Sequence, residues 1–169
     1  MIYIIQTYGS MLLRAMGQTL LLTLLSLVFA MIIGMIFALM NVGRNRVFNF
    51  IGTVYVDAVR GVPLIVLAYF IYFGVPAGIQ ALGIQGFRLP DLQAGTIALS
   101  MNCGAYMAEI IRAGIQSVDK GQMEASRSLG LSYGKSMRLV VLPQAIRTMI
   151  PSIINQFIIT LKDTSILSV

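Results

Sequence analysis

The side chains with the chemistry to handle a solute or a partner fall into three groups. Asn102, Gln156 and Asp163 are polar residues set in otherwise apolar surroundings, with Asn155 and Thr160 close by. Such groups usually face a bundle interior or a water-filled path. If substrate is bound within the membrane, Asp163 can accept from an ammonium group, and the amides of Asn102 or Gln156 can donate to a carboxylate. That set complements a zwitterion. The other reading is helix-to-helix hydrogen bonding, at roughly 0.6–2 kcal/mol each. Glu109 and Arg112 stand one helical turn apart, where they form either a local ion pair of small worth or a gate. The third group is Gly121, Glu124, Ala125, Ser126, Gly130, Leu142 and Pro143, within the long polar stretch 112–143. It reads as a helix, a turn at Gly130 and a second amphipathic piece ending at Pro143, with breaks near Gly121, Gly130 and Gly134. Two short helices between membrane spans make a knob that can pass a partner's movement into the spans.

Other chemistry is excluded by residue type. Histidine is absent, which removes the commonest general base and metal ligand. Cys103 is the one cysteine, so neither an intrachain disulfide nor a CxxC site can form, and no metal site is expected. Gly130-Leu131-Ser132-Tyr133-Gly134-Lys135-Ser136 is one residue short of a phosphate-binding loop, and no strand precedes it. No nucleotide site is expected in this segment. No nucleophile motif supports a membrane enzyme.

The elements that must position these groups are membrane helices. Hydrophobic residues make up 57% of the chain and charged residues 11%, where a soluble domain carries about 25% charged. Gly17 to Met40 runs without a charge, roughly 36 Å of helix at 1.5 Å per residue, enough to cross the hydrocarbon core and too long for a signal-peptide core. Four spans are expected, at about 17–40, 57–78, 92–111 and 145–161. In the second, Asp57 and Arg60 sit at pairing distance along a helix and Pro63 suits a first turn. Asp91 is a plausible cap for the third. Orientation follows from basic residues. One side receives Arg44, Arg46, Arg60, Arg112, Lys120, Arg127, Lys135, Arg138 and Arg147, and the other Arg14, Arg88 and Lys162. The first set belongs in the cytoplasm, which puts the N-terminus outside. The net charge of +6 is spread between apolar runs and forms no block for nucleic acid.

The polar stretch resembles the coupling loop of membrane-spanning permeases in binding-protein-dependent ATP-binding-cassette importers. Their pattern is Glu-Ala-Ala, three residues, Gly, nine residues, Ile, any residue, Leu-Pro. Here it stands as Glu124-Ala125-Ser126, Gly130, Val140, Leu142-Pro143, with Ser and Val as mild departures. Arg60-Gly61-Val62-Pro63-Leu64, Ala105-Tyr106-Met107-Ala108-Glu109-Ile110-Ile111-Arg112, Gly121-Gln122-Met123-Glu124-Ala125 and Leu161-Lys162-Asp163-Thr164-Ser165 are similar to the polar amino acid uptake branch. The resemblance implies an all-α, multi-pass helical bundle of the type I importer kind in the bacterial inner membrane. It implies ATPase subunits carrying ATP and Mg, docked at the loop around Gly130. It also implies an extracytoplasmic amino acid-binding protein and a second permease, identical or related. No cofactor is implied on this chain. Members typically carry a fifth span after Lys162-Asp163-Thr164-Ser165, and the sequence reaches Val169 before one, which points to a partial chain. The expected activity is translocation of a polar amino acid, with a neutral or acidic one favoured because few acids lie in the spans. The alternative is a secondary transporter or channel, which would call for inverted repeats that the sequence does not display.

Overall fold

The computed structural model describes residues 2–43 and 45–168, with side chains over 8–43 and 45–167. Arg44, counted above among the basic residues, lies outside the described residues. Among those described, the secondary structure is helical throughout. Helix α1 spans Ile2–Val42 and α2 spans Arg46–Gly61. Asn45 caps α2 by accepting from the Val47 and Phe48 amides, and Asn49 Nδ2 donates to the Asn41 carbonyl at 2.8 Å, closing the turn. Val62 and Pro63 are extended, and a new helix follows as α3 (Leu64–Tyr69), a π-helical turn (Phe70–Gly74) and α4 (Val75–Ala81). Next come α5 (Asp91–Gln116), α6 (Lys120–Ser128), α7 (Tyr133–Ser136), a second π-helical turn (Met137–Val141), α8 (Leu142–Asp163) and a 3₁₀ turn (Thr164–Ser168).

Helix α5 is the axis of the bundle. Fourteen of its residues are buried, including Ala94, Ala98, Ala105 and Ala108. These small residues let neighbouring backbones approach closely, the packing mode membrane helices rely on because lipid supplies no hydrophobic drive between them. A Cβ on Gly34 of α1 would stand 2.6 Å from the Met107 Cβ, and one on Gly104 of α5 would stand 2.7 Å from Ile33 Cγ2. The two glycines therefore interlock α1 with α5. Their contacts advance together along both helices, from Gly95 against Leu22 to Gly104 against Ile33, so the two run parallel. Helix α8 runs antiparallel to α5: Met149 packs on Gly114, Thr160 meets Cys103, and Leu167 reaches Gly95. Phe37 and Tyr55 stack at 3.8 Å between ring centroids, and the Tyr55 hydroxyl donates to the Met101 carbonyl at 2.9 Å, which fastens α2 between α1 and α5.

Among the described residues, three helical stretches are long and apolar enough to cross a membrane: Tyr8–Val42, Leu64–Ala81 and Tyr133–Leu167. The expected set of four spans changes accordingly. The second, 57–78, is not one continuous helix. The chain breaks at Val62–Pro63, because proline disfavours helical geometry in the residue before it, and Pro63 caps the new helix instead of lying in its first turn. The third, 92–111, lies inside α5, whose polar stripe lowers its hydropathy. It is shielded by α1, α2 and α8 instead of by lipid. The fourth belongs to a helical run that starts before 145. Pro143 does not end the preceding piece. Its ring would collide with the carbonyl four residues back, and the π turn over Met137–Val141 widens the helix just ahead of it, so the helix continues. Pro76 sits in the same relation to the π turn Phe70–Gly74.

Candidate functional site

The knob between α5 and α8 is built from local rules. The Asp119 carboxylate accepts from the Gly121 amide at 2.6 Å and starts α6, so Gly121 lies inside the first turn and the break expected near it falls just ahead, between Gln116 and Lys120. Gly134 likewise lies inside α7. Gly130 alone, of these three glycines, has a left-handed backbone. Its φ is +83°, its amide bonds the Arg127 carbonyl at 3.0 Å, and the Leu131 amide bonds the Ser126 carbonyl at 3.3 Å. That pair of bonds is the Schellman arrangement, and the left-handed residue at its centre is normally glycine. Ser126 is buried and donates its hydroxyl to the Met123 carbonyl at 2.8 Å, so it replaces alanine without an unmet donor. Gln144 on α8 donates to Gln122 on α6 at 3.3 Å and to the Val140 carbonyl at 2.9 Å. The knob is thereby tied to the helix that follows it. At the tip, Leu129 is 84% exposed, and Glu124, Ala125 and Gly130 are also exposed. Leu142 is half-buried and Pro143 is exposed at the start of α8.

The three polar residues of the spans are brought together. Asn102, Gln156 and Asp163 line one cleft of about 440 Å³, with Tyr106, Ile159 and the chain break Arg60–Leu64. Asn102 and Gln156 are 7% and 5% exposed, so their amides are desolvated, while Asp163 is half-buried. Gln156 and Asp163 are two turns apart on one face of α8, and Asn102 and Tyr106 are one turn apart on α5. Thr160 fixes the register between the two helices, with its hydroxyl 3.2 Å from Cys103 Sγ and 2.9 Å from the Gln156 carbonyl. One face of α8 is thus committed to the cleft, and the opposite face exposes Ile146, Ile150, Ile154 and Ile158.

Glu109 and Arg112 do form an ion pair, with both carboxylate oxygens engaged by the guanidinium. Arg112 also donates to Gln116 at 2.7 Å. Asp57 and Arg60 do not pair. The Arg60 guanidinium lies over the Tyr106 ring, 5.2 Å from its centroid. Arg60 and Tyr106 are the cleft residues that spacing could not single out. Their contact spans 46 positions and comes from the packing of α2 along α5. Among the described residues no group of three or more His, Cys, Asp or Glu side chains could hold a metal.

Residues 30–169 match the family described as binding-protein-dependent transport system inner membrane component. The chain is 41% identical over 160 residues to a probable glutamine ABC transporter permease of Bacillus subtilis, covering 95% of this chain and 71% of that protein. It is 37% identical to an arginine transport system permease of the same organism, covering 93% and 69%, and 40% identical to its L-cystine transport system permease, covering 96% and 67%. A crystal structure of an amino acid ABC transporter with histidines superposes with a TM-score of 0.87 at 38% identity, over 97% of this chain and 73% of that one. A knob with the permease spacing, set between α5 and α8 of a membrane bundle, agrees with these matches: the chain belongs to the inner membrane components of binding-protein-dependent transport systems.

Proposed function

We propose that the chain translocates a polar α-amino acid, driven by ATP hydrolysis on separate ATPase subunits that grip the tip at Leu129–Gly130. The reading rests on one observation above all. The knob and the cleft share a helix, since the helical run from Tyr133 continues through the π turn and α8 to Leu167. From Tyr133 to Gln156 that is roughly 35 Å of nearly rigid rod. A push on the knob therefore moves Gln156 and Asp163 against Asn102, which opens or closes the cleft and supports alternating access between two states. ATP and Mg belong to the ATPase. An extracytoplasmic binding protein delivers substrate to the opposite side, and a second permease completes the pathway.

In the cleft, Asp163 receives the substrate ammonium, and the Asn102 and Gln156 amides donate to its carboxylate. Burial of the amides strengthens these contacts, because a desolvated donor gains more from being satisfied. The relatives named for glutamine, arginine and cystine share an α-amino acid core, which is the part these three residues address. The test is uptake of radiolabelled glutamine, arginine and cystine by the complete transporter in proteoliposomes. Asp163→Ala is expected to lower uptake of whichever amino acid is carried through a rise in KM of about 10–100-fold, the worth of one charge-assisted hydrogen bond. ATPase binding should be unchanged. Parental uptake by this variant removes Asp163 from the substrate path.

A further inference from the structure

A second polar cavity lies beside the cleft, and one side chain belongs to both. This vestibule, about 360 Å³, is lined by Asn41, Asn49, Thr53, Asp57, Glu109 and Arg112, and by Arg60. Its volume is far above the roughly 10–15 Å³ that one water needs, and its lining is polar, so it has room for solvent. The Asn41 Oδ1 is buried and meets no donor among the described residues. Along α5 the two spaces are stacked: Asn102 and Tyr106 face the cleft, while Glu109, Arg112 and Gln116 face the vestibule. The vestibule lies at the end of the bundle where the α1–α2 turn sits and the knob begins, whereas the cleft reaches toward the end of α8. Arg60 lines both spaces, and its guanidinium lies over the ring of Tyr106 in the cleft wall.

We propose that Arg60 on Tyr106 is the inner gate between the substrate cleft and the cytoplasmic vestibule, and that it opens when Arg60 exchanges the ring for Asp57. The exchange partner is already in place. Asp57 lines the vestibule one helical turn before Arg60 on α2 and makes no ion pair or hydrogen bond among the described residues. The competing acid Glu109 is already engaged by Arg112. A cation over an aromatic ring and an ion pair facing solvent are both weak contacts of similar size, so a modest movement of α5 against α2 can decide between them. Arg60 also sits at the end of α2, directly before the extended residues Val62 and Pro63, so it can swing without breaking helical hydrogen bonds. This gate rests on the cleft being the substrate path, and the experiment separates the two.

The test uses the complete transporter in proteoliposomes without ATP, in a cysteine-free background carrying the I159C probe in the cleft wall. A membrane-impermeant thiol reagent is applied from the side exposing the knob. With Arg60 and Tyr106 intact, labelling is expected to be slow. Arg60→Ala and Tyr106→Leu should each speed it at least tenfold, Tyr106→Phe should leave it at the parental rate because the ring face is kept, and Asp57→Asn should slow it further. Labelling of the Arg60→Ala and Tyr106→Leu proteins at the parental rate, with the probe still reactive from the opposite side, overturns the gate. So does a Tyr106→Phe protein that labels as fast as Tyr106→Leu. Labelling needs no substrate, so a transporter that carries none of the three amino acids yet shows this pattern keeps the gate and loses the substrate assignment.

Discussion

Gly130 is where residue chemistry bears most directly on transport. A φ of +83° is open to glycine and strained for other residues, by about 1–2 kcal/mol for a side chain with a Cβ. No atom stands within 4 Å of a Cβ built there, so the penalty of Gly130→Ala is conformational and not steric. Gly130→Ala is accordingly expected to keep the knob folded but loosen its tip, lowering ATPase affinity several-fold in a pull-down from detergent, with Gly130→Asn less affected because asparagine tolerates the left-handed region. At this scale much of the site was legible. The spacing of Glu124, Gly130 and Pro143 marks the knob, and Asn102, Gln156 and Asp163 stand out as polar residues in apolar runs. The partner of Arg60 was not legible. Helical spacing pairs it with Asp57, and only the tertiary approach of α2 to α5 offers Tyr106 instead.

Among the elements, the α1–α5 contact is the one with no slack. The Met107 Cβ is fixed to its backbone and cannot turn away from a Cβ on Gly34 as the end of a flexible side chain could. Gly34→Leu is therefore expected to force the helices apart and to lower the apparent melting temperature of the purified transporter, consistent with the 1–3 kcal/mol typical of overpacking. The nearby exposed substitution Phe29→Leu should leave it unchanged, since Phe29 is exposed. The helices themselves were readable from charge-free runs and caps, but their continuity was not. Gly121 and Gly134 lie inside helices, and the break read near Gly121 falls just ahead of it, because flanking packing and the Asp119 cap outweigh a glycine's cost of about 1 kcal/mol. Pro143 reads as a stop, and a π turn carries the helix past it. Proline positions are visible in a sequence, whereas the one-residue widening that accommodates them is a property of the folded helix.

Across the whole molecule, the two ends of the bundle differ in character. The α1–α2 turn, the end of α5 and the knob share one end, which carries most of the basic residues, and the positive-inside rule predicts a cytoplasmic position for it. The loop around Phe87 and Arg88 lies at the other end, where Gln80 donates to the Phe87 carbonyl at 2.9 Å. An impermeant thiol reagent should therefore label an L129C variant in inside-out vesicles only and an F87C variant in right-side-out vesicles only. Between the ends, the single rod from Tyr133 to Leu167 joins the surface a motor subunit would hold to the wall of the cleft. The most direct test of that linkage is Gly130→Asp in the reconstituted transporter, read by ATPase association and by amino acid uptake in the same preparation. The linkage predicts normal insertion in the membrane, loss of bound ATPase and loss of uptake. Parental ATPase binding together with parental uptake would contradict it.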